Sequence, residues 1–223
     1  MKIAVISDPH ASCVNTERVL EDIAREDPDR LFCLGDLVGY GHNPEVVVPL
    51  IRRTADLCLQ GNHDAAAVGQ FDEFREALRY DPRGRGLLEA EQVLDDEDFE
   101  WLATRRPAAH AEGIDLFHGR RDDPLMGFMS LPGAMEQARA QLQAQPGPLS
   151  LVGHTHMPLA IRLRGEEISW SEPGQGPLDL SSGESWILNP GSCGLRQNRS
   201  ARDRRPAWLM LDLDGGLARW HRL

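Results

Sequence analysis

The chain predicts an α/β fold, with a mostly parallel sheet and packed helices in its first part and a β-rich second part. Three observations predict it. Short apolar runs alternate with amphipathic stretches in β-α-β-α-β order over the first sixty residues. Several of these runs are followed directly by Asp, Asn or His. After about residue 150 the helical periodicity gives way to closely spaced strand patterns.

Taken in order, Lys2–Ser7 (KIAVIS) reads as a buried strand. Val19, Leu20, Ile23 and Ala24 recur at helical spacing between about Val14 and Arg25, and Pro28 follows the helix. Leu31–Gly35 (LFCLG) is a second strand. Asn43-Pro44 reads as an N-cap with proline in the first turn, opening a helix through Ile51. Asp56–Gln60 (DLCLQ) is a third strand. From about 65 to 105 the pattern is helical: Phe71, Phe74, Ala77 and Leu78, then Leu87, Leu88, Val93 and Leu94, then Phe99 and Leu102. This reads as a helical insertion beside the sheet.

Gly113–Gly119 (GIDLFHG) returns to strand, Ala134–Ala144 is helical, and Leu149–Gly153 (LSLVG) is another strand. Strands follow at Leu159–Arg164, Glu167–Trp170, Trp186–Leu188, Ala207–Leu213 and Leu217–Leu223, the last two joined by an Asp214-Gly215-Gly216 hairpin turn. Residues 171–183, rich in Ser, Gly and Pro, read as a surface loop. With no internal repeat and no clear linker, a single domain over 1–223 is expected.

Composition narrows the function classes. A hydrophobic fraction of 41% is ordinary for a soluble globular chain. No apolar run approaches the roughly 20 residues that cross a bilayer, so no membrane partner is expected. The N-terminal apolar run meets Asp8 too soon for a secretory signal, so a cytoplasmic location is expected. The formal net charge of −11 disfavours a broad nucleic-acid surface and a stable nucleic-acid partner. Arg196, Arg199, Arg202, Arg204 and Arg205 run against that balance. They read either as a solvated basic loop or as a phosphate-steering rim. Cys13, Cys33, Cys58 and Cys193 form no Cys-x-x-Cys pair, so neither a zinc knuckle nor a dithiol site is expected.

The polar residues that follow the strands carry the chemistry. Asp8 and His10 follow the first, Asp36 the second, and Asn62 and His63 the third. His118 follows GIDLF, and His154 and His156 follow LSLVG. In an open α/β sheet the carboxyl ends of parallel strands border the ligand crevice, so these residues should converge on one rim. Five of the eight histidines belong to this set. Read singly, Asp8 is a turn residue, Asp36 a helix cap and the Gly153–His156 stretch a polar turn; jointly those readings fail. Two carboxylates, one amide and four imidazoles suit Mn, Fe or Zn, with Ni or Co as further candidates. They are too many for one tetrahedral ion but suit two divalent transition-metal ions sharing a carboxylate, as in phosphatases and nucleases.

Asp-x-His, Gly-Asp-x-x-Gly, Gly-Asn-His-Asp, a later His-Gly and Gly-His-Thr-His occur in that order from Asp8 to the Asn189–Ser192 stretch. In this the chain resembles the calcineurin-like metallophosphoesterases, and in particular their small bacterial and archaeal phosphoesterases. The resemblance implies a four-layer α-β-β-α sandwich of two mixed sheets. It implies that Asp8, His10 and His156 bind one metal, that Asn62, His118 and His154 bind a second, and that Asp36 bridges both. It implies hydrolysis of a small phosphate ester by in-line attack of a bridging hydroxide. His63, left without a metal, is the candidate general acid, and Asp64 reads as the cap of the next helix. Arg120 and His42 are candidate substrate contacts; His110 and His221 read as structural or exposed.

The motifs depart from the family in two places. Asp8-Pro9-His10-Ala11-Ser12 lacks a common Gly-Asn after the histidine. Gly35–Gly41 lacks the second Asp and the Arg of the phosphatase motif Gly-Asp-x-x-Asp-Arg-Gly. A phosphodiesterase is therefore the first expectation. A phosphomonoesterase or a nucleotide or protein phosphatase on the same site is the alternative, ahead of a nuclease or a non-catalytic scaffold.

Overall fold

A computed structural model describes residues 1–78, 80–81, 84–129, 133–174, 176–194 and 205–223. The Arg-rich stretch 196–205, except for its last residue, lies outside the described residues. The elements run β1 (Lys2–Ile6), α1 (Cys13–Glu26), β2 (Arg30–Cys33), α2 (Pro44–Thr54) and β3 (Leu57–Cys58). Four helices follow: α3 (Asn62–Ala67), α4 (Asp72–Leu78), α5 (Arg85–Val93) and α6 (Asp96–Ala103). Next come β4 (Ala108–Ala111), β5 (Ile114–Phe117), α7 (Met135–Ala144), β6 (Leu149–Val152), β7 (Leu159–Arg164) and β8 (Glu167–Ser171). The chain closes with β9 (Leu178–Asp179), β10 (Ser185–Asn189), β11 (Ala207–Asp212) and β12 (Leu217–Arg222).

Two six-stranded sheets form, ordered β3-β2-β1-β11-β12-β9 and β4-β5-β6-β10-β7-β8. Both are mixed. In the first, β1, β2 and β3 are parallel, and β11 joins β1 antiparallel. In the second, β5, β6 and β10 are parallel, while β4 and β7 flank them antiparallel.

The period-2 alternation of a strand explains the layering. In β1, Ala4 and Ile6 point to Val19, Ile23, Val47 and Ile51 of α1 and α2. Ile3 and Val5 point the other way, into a core shared with Leu116, Leu151, Trp186 and Leu188 of the second sheet. That sheet's outer face carries Val152, Ile161 and Ile187, covered by Ala138 and Leu142 of α7. Helices, sheet, sheet and helix make the four layers. β1 reads as continuously apolar because both of its faces are buried.

Three local features differ from the sequence reading. β4, Ala108–Ala111, lacks the β-branched and aromatic residues that mark strands, and pairing with β5 forms it. β9 is a two-residue strand inside the 171–183 loop, formed by its pairing with β12. The third strand is shorter than DLCLQ, and α3 begins at Asn62; Asp64, its third residue, caps it as expected by accepting from the Gly61 N–H. No helix among the described residues is long and apolar enough to cross a membrane.

Leu116 is fully buried at the centre of the inter-sheet core. Leu116→Ala should lower unfolding stability by about 3 kcal/mol, the lost transfer energy plus the cavity left between two sheets. Equilibrium urea unfolding of the metal-free protein checks this, and a loss below about 1 kcal/mol would show that the sheets close over the gap.

Candidate metal centre

The carboxyl ends of β1, β2 and β3 in one sheet and of β5 and β6 in the other meet at one edge of the sandwich. Backbone bonds tie the segments beyond these strands together. Asp8 N–H donates to the Gly35 carbonyl (3.0 Å), His10 N–H to Asp36 (2.9 Å) and Ala11 N–H to Leu37 (2.7 Å). Gly153 N–H donates to His118 (2.8 Å), and Cys193 N–H to Ser7 (2.9 Å). The Ser192 hydroxyl donates to the Asp8 carbonyl (2.7 Å).

This framework holds the backbone of these residues in costly conformations. Asp8, His10, Asp36, His154 and His156 all have positive φ, between 45° and 62°. Non-glycine residues seldom adopt that region, and such strain concentrates at functional sites. All seven predicted ligand residues are brought together, and each is at least nine-tenths buried.

His10 Nε2 lies 2.9 Å from His156 Nε2 and 3.6 Å from Asp36 Oδ2. His156 Nε2 lies 3.5 Å from Asp8 Oδ1. On the other side of Asp36, His118 Nε2 lies 3.4 Å from Asp36 Oδ2 and 3.0 Å from Asn62 Oδ1. Neither oxygen of Asp8 accepts a hydrogen bond, and buried His154 Nε2 has no hydrogen-bond partner. Donors about 2.1 Å from a common cation stand roughly 3.0–3.4 Å apart, so these spacings fit metal ligation. His10 and His118 turn Nδ1 to the carbonyls of Val38 (2.9 Å) and Leu34 (2.8 Å), which leaves Nε2 as the ligating atom. Asp8, His10, Asp36 and His156 form one group that could hold a cation; Asp36, His118 and His154 form another.

The protonation states are pulled apart. Burial pushes the Asp36 carboxyl up, but the imidazoles of His118, His63 and His10 outweigh it and hold it well below the usual range. Burial draws His118 down, but the Asp36 and Asp8 carboxylates outweigh it and raise its pKa to about 9. Burial and the neighbouring His118 push His154 down to about 3. In the metal-free protein the proton on His118 therefore balances Asp36, and a bound cation would displace it.

His63 is buried beside the group. Its main-chain N–H donates to Asp36 Oδ1 (2.9 Å), and its ring lies 4.9 Å from that of His10, 4.8 Å from Tyr40 and 5.1 Å from Phe74. Two glycines leave room for this. A Cβ on Gly39 (φ +89°) would stand 2.3 Å from His63 Nδ1, and one on Gly61 would stand 2.0 Å from Asp36 Oδ1.

A cavity of ≈ 430 Å³ opens at Asp36, Asn62, His63, His154 and His156. The two predicted substrate contacts are not in its wall. His42 is exposed and pairs with Glu89 of α5 at 3.0 Å. Arg120 is engaged by Asp122 (2.9 Å) and by the Phe128 carbonyl (3.0 Å). Of the other histidines, His110 pairs with Asp115 (2.7 Å) and His221 stacks on Trp208 (4.0 Å).

The calcineurin-like phosphoesterase superfamily domain profile matches residues 1–215. The chain belongs to that superfamily. An uncharacterized protein of Methanocaldococcus jannaschii is 30% identical over 199 residues, 86% of this chain and 76% of that protein. The crystal structure of a metallophosphoesterase from Sphaerobacter thermophilus is similar to all of this chain over 88% of its own length, with 30% identity and a TM-score of 0.82. That of a hypothetical protein from Pyrococcus horikoshii OT3 covers 100% of this chain and 87% of its own at 14% identity, with a TM-score of 0.73, and shows the same fold.

In this phosphoesterase-superfamily chain, the role of Asp64 was not read from its motif. Its Oδ2 accepts from the N–H groups of Asp36 (2.8 Å) and Gly61 (2.9 Å), and its Oδ1 from those of Leu37 (2.8 Å) and Val38 (3.1 Å). Burial and the Asp36 charge push its pKa up to about 7, against the pull of those N–H donors. One carboxylate thus clamps the turn after β2 to the start of α3. An amide must turn its own N–H groups toward two of the four donors. Asp64→Asn should therefore destabilise the metal-free protein by about 3 kcal/mol and weaken its retention of metal. Denaturant unfolding with elemental analysis reads both, and an unchanged midpoint would refute the clamp.

Proposed function

We propose that the chain is a metal-dependent phosphoric ester hydrolase, with small phosphodiesters as its first substrates. The observation that supports this above all is the pair of ligand groups sharing Asp36 at the floor of one cavity. Asp8, His10, Asp36 and His156 would hold one divalent ion, and Asp36, Asn62, His118 and His154 a second. Mn, Fe or Zn suits these donors best, and Ni or Co would also fit. Bound there, such ions lower the pKa of water toward neutrality and offset negative charge at phosphorus.

The chain's own residues supply the rest. His63 gives a proton to the departing ester oxygen as the bond to phosphorus breaks, a role that general acids perform at about 10²–10⁴-fold gain. Tyr40, His10 and Phe74 pack around its ring. The second motif favours diesters. Where protein phosphatases of the superfamily carry an Arg that grips a terminal phosphate, this chain has Tyr40, which lines the cavity. A ring in place of a guanidinium suits a phosphate with one charge and two substituents. The substrate is thus expected to be small, with neither a membrane nor a stable nucleic-acid partner involved.

Two outcomes test the reading. Chelation should abolish hydrolysis of a phosphodiester panel and Mn²⁺ should restore it, while Asp36→Asn lowers the bound metal per chain. Hydrolysis that survives thorough chelation would end the metal-dependent reading. His63→Ala should retain metal yet slow turnover at least about 100-fold for alkyl leaving groups, and far less for nitrophenolate, which leaves without a proton. Equal slowing for both leaving groups would remove His63 from the acid role.

A further inference from the structure

The cavity above the candidate centre has an aromatic wall that the chemistry at phosphorus does not need. Phe74 comes from α4, in the helical segment between the two sheets' first strands, and Phe128 from the segment after His118. Met126 and Tyr40 complete the apolar lining. Phe74 meets His63 edge-on (5.1 Å, 83°) and is backed by Phe71, stacked at 5.6 Å. Phe128 lies 4.1 Å from the His154 ring and is 49% exposed.

Among the described residues several large apolar side chains are exposed, but Phe128 is the one that lines this cavity. It is also held in place. Arg120 donates to the Phe128 carbonyl (3.0 Å) while Asp122 fixes the guanidinium, and Gly127 N–H donates to Asp123 (3.0 Å). Among the described residues no Lys or Arg lines the cavity. The wall therefore suits an uncharged, flat apolar group rather than a second phosphate. Its ≈ 430 Å³ lies within the range that encloses a small ligand.

Resting on the hydrolase reading above, we propose that a group esterified to the phosphate carries a planar aromatic ring, nucleobase or simple aryl, seated against Phe74 and Phe128. Phe74 lies against the candidate acid His63, so the ring belongs to the departing alcohol. The helical segment 65–105 thereby acquires a role in substrate choice.

The test uses Mn²⁺-loaded protein and two pairs of diesters with matched leaving groups. The first pair is adenosine 5′-(methyl phosphate) against ribose 5-(methyl phosphate). The second is 2-phenylethyl against 2-cyclohexylethyl methyl phosphate. In at least one pair, kcat/KM should be about tenfold higher for the ring-bearing member, in line with base–aromatic stacking. A response in the first pair alone identifies a nucleobase; a response in the second identifies a simple aryl group. Phe74→Ala and Phe128→Ala should bring the ratio toward one, and Phe128→Trp should keep it. Ratios near one in both pairs for the wild type overturn the proposal.

Calorimetry on metal-free protein supplies a readout independent of turnover. Adenosine or 2-phenylethanol should bind more weakly to Phe128→Ala by about tenfold, and affinities unchanged in both phenylalanine variants overturn the proposal. Should metal-loaded protein cleave none of the four esters, the phosphodiester reading falls, and the calorimetry still decides whether the aromatic seat exists.

Discussion

The constraint on which this structure depends is the burial of Asp36. A carboxylate withdrawn from water is tolerated only where opposite charge or strong donors surround it. Here Asp36 has the imidazoles of His118 and His10 at 3.4 and 3.6 Å, and the His63 N–H at 2.9 Å. Asp8, equally buried, has no hydrogen bond to either oxygen. Such a cluster relaxes if its backbone can move. The positive-φ residues, the bonds between the turns and the Asp64 clamp deny it that movement.

The sandwich serves this constraint by its geometry. Neither sheet alone supplies all seven candidate ligands. β1, β2 and β3 deliver Asp8, His10, Asp36 and Asn62 from one side, and β5 and β6 deliver His118, His154 and His156 from the other. The inter-sheet core of Ile3, Val5, Leu116 and Leu151 sets the spacing between the two halves of the site. Packing far below the rim therefore governs ligand distances at the top, because close-packed interiors transmit small shifts.

Much of this was legible in the chain because two strong signals coincide. A buried strand announces itself by its apolar run, and Asp, Asn or His directly after it has no structural reason to recur at successive strands. Hence the main strands and the convergence of these side chains could be anticipated, while the sandwich came from the family resemblance that the motifs carry. What escaped reading lacks a local signal. β4 is alanine-rich and β9 only two residues long, so both owe their existence to partners distant in sequence. Asp64 looked like an ordinary cap because a cap and a clamp share the same residue type. Phe74 belonged to a helical apolar pattern, and nothing in sequence separates a ring facing the core from one facing a cavity. His42 and Arg120 looked like substrate contacts from their nearness to motifs, but Glu89, Asp122 and the Phe128 carbonyl engage them instead.

The pairing of β1 with β11 has a consequence for biogenesis. The first strand of the chain completes its hydrogen bonding only with a strand some two hundred residues later. During synthesis the amino-terminal β-α-β-α-β segment emerges with Asp8, Asp36 and Asn62 already in hand, but with β1 presenting an unsatisfied edge and one face of its sheet uncovered. Contacts of such long sequence separation form slowly. His118, His154 and His156 follow from the middle of the chain, whereas β11, which completes the pairing of β1, comes only near its end. Closure of the sheet edge beside Asp8 is thereby deferred to the last steps of folding.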